Sequence, residues 1–205
     1  MTAPRLLAVS DRHALGATSF ESWCRQLAAA GVAALQVREK DLDDRARYEL
    51  ACAARAAFPP PGTLLVNGRV DLALAAGADG VHLPATGLPV AAVRRATRRP
   101  LLVGRSTHAL DEVRRAHAEG ADYVVFGPIF ATPSKAGRIR PRGISSLAAA
   151  AAIGIPVLAL GGIEDGERAE RALAAGAWGV AGVRGFLDPG RRAELVRALA
   201  VRSGA

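Results

Sequence analysis

The segment QVREK at 36–40 carries three polar side chains at alternate positions, and two of them are positively charged. In a β-strand, a period of two puts Gln36, Arg38 and Lys40 on one face. Charged donors that converge in this way suit a carboxylate or a phosphate. The alternative is an exposed strand end whose cations pair with the aspartates that follow it.

Three further polar groups follow short apolar runs. Asn67 precedes a glycine, where a turn or a helix cap explains it equally well. His82 either lines a site or is a buried histidine with satisfied hydrogen bonds. The segment GRSTH, with Arg105, Ser106 and His108, brings a hydroxyl, backbone amides and an imidazole together, although its hydroxyl residues also suit a helix cap.

Lysine is rare in this sequence, because Lys40 and Lys135 are the only two among 27 basic residues. An ammonium is a compact charge that approaches phosphate or carboxylate where a planar guanidinium does not fit, so both lysines join the candidate site. Lys135 lies in the long stretch 126–137, which contains Gly and Pro and favours a lid over an anion. Plain insertions also reach this length.

Two glycine-containing segments near the C-terminus suit a phosphate. Glycine lets backbone N–H groups approach a ligand closely, and the last two strand-end loops of α/β barrels commonly hold phosphate. The predicted phosphate cradle consists of Gly161, Gly162, Gly182, Val183, Arg184 and Gly185.

The elements that position these residues follow from the alternation of short apolar runs, rich in β-branched residues, with Ala-rich helical patterns. We predict a single (β/α)8 TIM barrel over residues 1–205, with the site at the C-terminal strand ends. Strands are expected at 6–9, 34–37, 64–66, 80–83, 101–104, 123–126, 157–160 and 179–183. Helices are expected at 20–30, 42–57, 69–76, 89–97, 110–119, 145–152, 166–175 and 191–200.

A short module recurs in this pattern as AGADGV at 76–81, EGADYV at 119–124 and AGAWGV at 175–180. Its glycine is expected to end one helix in the left-handed conformation before the next strand begins.

Composition narrows the classes of function. Half of the 205 residues are hydrophobic and 4% are aromatic, which predicts one domain with a core of Ala, Val, Leu and Ile. The formal charge is +8, but the arginines are spread along helices without a basic tail, so we expect neither nucleic acid nor a membrane as partner. Cys24 and Cys52 form no metal-binding or redox motif. No apolar run suits a signal peptide or a membrane span, so a cytoplasmic location is expected.

Five motifs together resemble the thiamine phosphate synthase and TenI superfamily. They are QVREK at 36–40, NGRVDLALAAGADGVHLP at 67–84, GRSTH at 104–108, GADYVVFGPIFATPSK at 120–135 and LGGI at 160–163. The motifs are spread in order over six strand ends and nearly the whole chain. This resemblance implies an enzyme of thiamine biosynthesis that binds a small phosphorylated thiazole metabolite, and it suggests a homodimer.

In the synthase branch of that family, an aminopyrimidine diphosphate is joined to thiazole phosphate, with Mg2+ held by two carboxylates. The corresponding positions here look like Gly68 and Gly87, and glycine offers no side-chain ligand. Diphosphate departure needs its charge neutralised, so the loss of both hard oxygen ligands removes the usual place for Mg2+. The synthase reaction is therefore the alternative, and it alone would require Mg2+.

The sequence looks closer to the TenI branch of thiazole tautomerases, which shares the NGRVD and GRS phrases, including the position of Arg105. That resemblance implies isomerisation of a carboxythiazole phosphate without a metal or other cofactor, by moving a proton from the ring carbon to the exocyclic carbon. Arg38 and Lys40 would orient the carboxylate, the glycines would hold the phosphate, and Ser106 and Lys135 would complete the site.

The identity of the base stays open, because a tautomerase of this branch has histidine just after the sixth strand, where this chain has Pro128. His108 and His82 are the candidate catalytic residues, since imidazole exchanges protons near neutral pH. A third alternative is a binding or regulatory protein without turnover.

Overall fold

Eight parallel strands close into a barrel in chain order. The computed structural model describes residues 2–132 and 140–200. The strands are β1 (Leu6–Val9), β2 (Ala34–Val37), β3 (Thr63–Asn67), β4 (Gly80–Leu83), β5 (Leu102–Thr107), β6 (Tyr123–Phe126), β7 (Val157–Leu160) and β8 (Gly179–Gly182). Each strand pairs in parallel with the next, and β8 pairs with β1 to close the ring. The predicted (β/α)8 barrel is confirmed.

A helix follows each strand. In the described part of the chain these are α1 (Phe20–Ala29), α2 (Asp44–Ala57), α3 (Val70–Ala75), α4 (Val90–Ala96), α5 (Leu110–Ala118), α6 (Gly143–Ala151), α7 (Gly166–Ala174) and α8 (Pro189–Ala200). The side chains of Ser19, Asp43 and Asp165 accept hydrogen bonds from the first turns of α1, α2 and α7, which fixes where these helices begin. None of the helices described has the length and apolar character that a membrane span requires.

The recurring module performs the predicted role at three helix ends. Gly77, Gly120 and Gly176 have φ angles of 64°, 83° and 91°, which lie in the left-handed region. In two copies the following aspartate supports the barrel, because Asp79 and Asp122 each accept a backbone N–H from the preceding strand and pair with an arginine. The module therefore stabilises the N-terminal ends of the strands, opposite the predicted site.

The apolar core has two layers, as alternation along the strands requires. The larger cluster lies between the strands and the helices, and it includes the buried rings of Trp23, Phe58, Phe126 and Phe186. The smaller cluster fills the barrel interior with Leu7, Val9, Ala34, Leu65, Leu102, Tyr123, Val125, Leu158 and Ala181. Inward positions further along the strands are polar at Gln36, Asn67 and Ser106, so the interior layer forms the apolar floor of the mouth.

Strand β5 differs most from the prediction, since it continues to Thr107 rather than ending at Gly104. Its last three residues are polar, and apolar periodicity therefore does not extend to them. The longer strand sets which of these residues face the barrel: Leu102 lies in the interior cluster, so Ser106 faces inward and Arg105 outward.

Candidate functional site

One cavity of about 700 Å³ occupies the C-terminal mouth of the barrel. It is lined by most of the predicted site residues, namely Gln36, Arg38, Lys40, Asn67, His82, Ser106, His108, Gly161, Gly162, Gly182, Val183 and Arg184. Strands β2, β3, β4, β5, β7 and β8 therefore deliver their polar ends to a single space. That these residues bind a ligand stays a prediction, but the structure brings them together. Lys135 lies outside the described residues.

The cations at the β2 end of the cavity have no ion-pair partner among the described residues. Within residues 2–132 and 140–200, the side chains of Gln36, Arg38, Lys40 and Asn67 make no intramolecular hydrogen bond or ion pair. Arg38 lowers the pKa of Lys40 because two neighbouring cations repel, and partial burial adds to the effect. The alternative of pairing with Asp41 or Asp43 is wrong, since Asp41 binds Arg12 and His13 and Asp43 caps α2.

A buried carboxylate holds the backbone of this cationic segment in place. Glu39 is 5% exposed, and its Oε1 accepts hydrogen bonds from the Ser10 hydroxyl at 2.6 Å and from the Arg12 N–H at 3.2 Å. The Ser10 Oγ in turn accepts the N–H of Arg38 at 2.8 Å. Because Glu39 points away from the cavity into these bonds, its neighbours Arg38 and Lys40 are left facing the cavity.

His82 lies at the centre of the β4–β6 side of the mouth. It is 2% exposed, with Nδ1 at 3.1 Å from the Tyr123 hydroxyl and Nε2 at 2.8 Å from Ser106 Oγ. Burial, together with the nearby cations Arg38 and Arg105, lowers the pKa of His82 to about 3. The ring is therefore neutral at physiological pH, and both of its nitrogens already have protein partners.

His108 is arranged differently and is better placed to exchange a proton with a ligand. Its Nδ1 lies 2.6 Å from the carbonyl oxygen of Gly127, and a carbonyl only accepts, so Nδ1 carries the hydrogen. Its Nε2 has no partner among the described residues and, in the neutral ring, offers a lone pair at the cavity wall. The imidazole thus reaches the end of β6, where Gly127 is followed by Pro128.

Arg105 does not line the cavity, so its predicted role in direct ligand contact is not supported. It faces outward from β5, and its guanidinium donates to the carbonyl oxygens of Ala85, Gly87 and Leu88. These three bonds hold the loop after β4 against β5. Arg105 therefore shapes the cavity through Pro84, Ala85 and Thr86, which do line it.

The two positions that resemble the Mg2+ ligands of the synthase branch do not fit a metal. Gly68 has a φ of 70°, where a side chain is strained. A Cβ at Gly87 would lie 2.9 Å from Pro84 Cδ and 3.1 Å from the Pro84 oxygen, so a carboxylate there requires the loop to move. Among the described residues, no three His, Cys, Asp or Glu side chains form a group that suits a metal.

The opposite end of the cavity is formed by backbone after β7 and β8, as predicted for a phosphate. Gly161, Gly162, Gly182 and Val183 line it, and Arg168 donates to the Gly162 carbonyl at 2.7 Å, which anchors the turn. Gly185 is an exception among the predicted residues. It does not line the cavity, because it packs against α8, where a Cβ would lie 2.8 Å from Leu195 Cδ1.

Sequence reasoning missed four contributors to the site. Asp11 and Glu164 line the cavity, and Glu164 pairs with Arg184 at 3.8 Å and with Arg191 at 2.9 Å. Tyr123 and Glu39 act from behind the cavity wall. Tyr123 lies in an apolar-looking strand and Glu39 between two cations, so neither position signals its partner in the sequence.

Comparison with known proteins places these features in a family. The family model described as thiamine monophosphate synthase (TMP-TENI) matches residues 6–186. The thiamine-phosphate synthase of Anaeromyxobacter dehalogenans is 46% identical over 177 residues, which cover 85% of this chain and 80% of that protein. The thiamine-phosphate synthase of Methanoculleus marisnigri is 38% identical and covers 98% of this chain and 95% of its own length. A solved thiamine phosphate pyrophosphorylase from Pyrococcus furiosus superposes with a TM-score of 0.84 at 28% identity, over 96% of each chain.

Proposed function

The chain belongs to the thiamine monophosphate synthase family, and from this membership we propose that it binds a phosphorylated thiazole of thiamine biosynthesis and isomerises it without a metal. The substrate of this proposal is a carboxythiazole phosphate. The product is its aromatic tautomer, in which a proton has left the ring carbon and one has been added to the exocyclic carbon.

The observation that carries the proposal is the set of unpaired polar side chains at the β2 and β3 ends. Burying or crowding cations without a counter-charge is unfavourable, as the lowered pKa of Lys40 shows, and an anionic ligand relieves that cost. Arg38 and Lys40 suit the carboxylate, while Gln36 and Asn67 supply neutral hydrogen bonds. The glycine-lined turns across the cavity suit the phosphate.

Between these two ends, the geometry favours His108 as the base. Its hydrogen bond to Gly127 fixes the ring so that Nε2 is the atom available to take a proton from the ligand. His82 is not available in the same way, because Tyr123 and Ser106 occupy both of its nitrogens. Of the two predicted catalytic histidines, His108 is therefore assigned to proton transfer and His82 to the wall of the site.

The second candidate function is thiamine phosphate synthesis, and the names of the relatives favour it over isomerisation. Both relatives described above carry that name, and neither is called a tautomerase. The synthase reaction needs a place for Mg2+ beside a departing diphosphate. Gly68 and Gly87 provide no ligand for it, which is why the cavity supports the metal-free reaction better.

The two candidates are separated by supplying the synthase substrates. Purified protein is incubated with aminopyrimidine diphosphate, thiazole phosphate and Mg2+, and thiamine phosphate is measured by chromatography. We expect no thiamine phosphate. Its formation at a rate that depends on Mg2+ would replace the isomerase proposal with the synthase reaction.

The assignment of the base is tested with the His108→Gln variant. We expect turnover of the carboxythiazole phosphate to fall by about 10²- to 10⁴-fold, the usual contribution of a general base, while ligand affinity stays close to that of the unchanged protein. The exposed Arg45→Ala variant on α2 serves as control. Equal loss of affinity and turnover would assign His108 to binding, and unchanged turnover would remove it from the mechanism. Binding without turnover in the unchanged protein would identify a non-catalytic binder.

A further inference from the structure

A glycine in β5 allows a buried tyrosine to reach across to His82. In the strand register His82 on β4 pairs with Gly104 on β5, and Gly104 pairs with Tyr123 on β6. A Cβ at position 104 would lie 2.1 Å from Tyr123 Cζ, so the phenol ring fills the space that a side chain would take. The Tyr123 hydroxyl thereby comes within 3.1 Å of His82 Nδ1.

Burial determines the direction of this hydrogen bond. Tyr123 is fully buried, and within residues 2–132 and 140–200 its hydroxyl has His82 as its one hydrogen-bond partner. If the hydroxyl accepted a hydrogen from Nδ1, its own hydrogen would remain unpaired inside the barrel, which is unfavourable. The hydroxyl therefore donates to Nδ1, and the neutral ring carries its hydrogen on Nε2.

The direction of the hydrogen bond between His82 and Ser106, which reaches the cavity, follows from the same argument. The Nε2–H of His82 donates to Ser106 Oγ at 2.8 Å, so the Ser106 oxygen acts as acceptor within the protein. Ser106 has no further side-chain partner in the described part of the chain, and it lines the cavity. Its hydroxyl hydrogen is thus available to a ligand.

We propose that Tyr123 is a positioning residue that fixes the direction of the hydrogen bonds from Tyr123 through His82 to Ser106. Ser106 then presents a hydrogen-bond donor to the ligand, and it selects a ligand group with an acceptor oxygen or nitrogen at that point. The part of this inference that concerns the ligand rests on the proposed function, whereas the direction of the bonds does not.

The charged groups around His82 are consistent with a neutral ring. Arg38 and Arg105 act on it electrostatically, and no carboxylate among the described residues contacts it. Among the described residues that line the cavity, Arg38 and Lys40 are the cations without an ion pair, while Ser106 contributes a neutral donor.

The test is nitrogen-15 NMR of the histidine rings in the ligand-free protein, which reports directly which ring nitrogen carries hydrogen. His82 is assigned by comparison with a His82→Gln variant. Between pH 5 and pH 8 we expect His82 to be neutral, with hydrogen on Nε2 and none on Nδ1. Hydrogen on Nδ1, or a protonated cation in this range, overturns the proposal whether or not the protein proves to be an isomerase.

Two variants separate positioning from simple packing. Tyr123→Phe removes the donor to Nδ1, so we expect the single Nε2–H signature to give way to a mixture of tautomers. Ser106→Ala keeps that donor, so the signature should persist. Both variants should bind thiazole phosphate about three- to tenfold more weakly, the loss typical of one neutral hydrogen bond. An unchanged His82 signature in Tyr123→Phe contradicts the role of Tyr123. If that variant does not fold, the measurement on the unchanged protein decides alone.

Discussion

Acidification should destabilise this protein through His82 more than through any ordinary surface histidine. The pKa of His82 is lowered to about 3 in the folded chain by burial and by Arg38 and Arg105, whereas an unfolded histidine titrates near 6.5. At pH 5 the unfolded chain therefore binds a proton at this residue and the folded chain does not. The free energy of unfolding consequently falls as the pH falls from about 6.5 towards 3.

The size of the effect follows from this difference in pKa. Each pH unit inside that window changes the free energy of unfolding by about 1.4 kcal/mol, because one proton is bound in the unfolded state alone. Lowering the pH from 7 to 5 should therefore cost about 2 kcal/mol through His82. The contribution is fully retained above the unfolded pKa and is lost progressively below it.

The assay is urea unfolding of the unchanged protein and of His82→Gln at pH 7 and at pH 5. Glutamine has no titratable group but can still accept from Tyr123 and donate to Ser106. The other three histidines are present in both proteins, so any contribution from them cancels when the two pH dependences are subtracted. Between pH 7 and pH 5, the free energy of unfolding should fall by about 2 kcal/mol more in the unchanged protein than in the variant. Equal losses would show that His82 is not held neutral by its surroundings.

Further predictions concern the cavity. Arg38→Ala should weaken binding of the carboxythiazole phosphate by about 1.5–3 kcal/mol, measured by calorimetry, while the exposed Arg45→Ala leaves it unchanged. Affinity for the same ligand should decrease as the pH rises and Lys40 loses its proton. This decrease should occur at a lower pH than for an ordinary lysine, because Arg38 lowers the pKa of Lys40, and a Lys40→Met variant should lose the pH dependence. Arg105→Ala should speed hydrogen exchange of the amides at 85–88 and reduce affinity less than Arg38→Ala does, since Arg105 holds the loop and not the ligand.

Much of the barrel was accessible from local patterns, because each strand and helix follows from neighbouring residues. The end of β5 was not, since polar inward residues break the apolar period there. If the predicted β5 is extended to Thr107, alternation from Leu102 places Arg105 on the outward face and Ser106 on the inward face. The misplacement of Arg105 therefore follows from one boundary.

The residues that orient the site from behind the cavity wall could not be predicted from local sequence patterns. The contact between His82 and Tyr123 depends on the register of three strands and on the space left at Gly104, and both are non-local properties. Glu39 lies in the most informative motif of the sequence, yet its partners Ser10 and Arg12 belong to another strand end. The positions of cations and glycines were predictable, whereas the groups that orient them were not.

In the proposed reaction, a proton moves on a thiazole phosphate bound in this cavity, and no metal is needed. The most direct measurement is the rate at which metal-stripped protein isomerises carboxythiazole phosphate in EDTA, followed by NMR and compared with the rate in Mg2+. Because no metal takes part in the proposed proton transfer, we expect the same rate in both conditions. If isomerisation is absent in EDTA and restored by Mg2+, the metal-free reaction is contradicted.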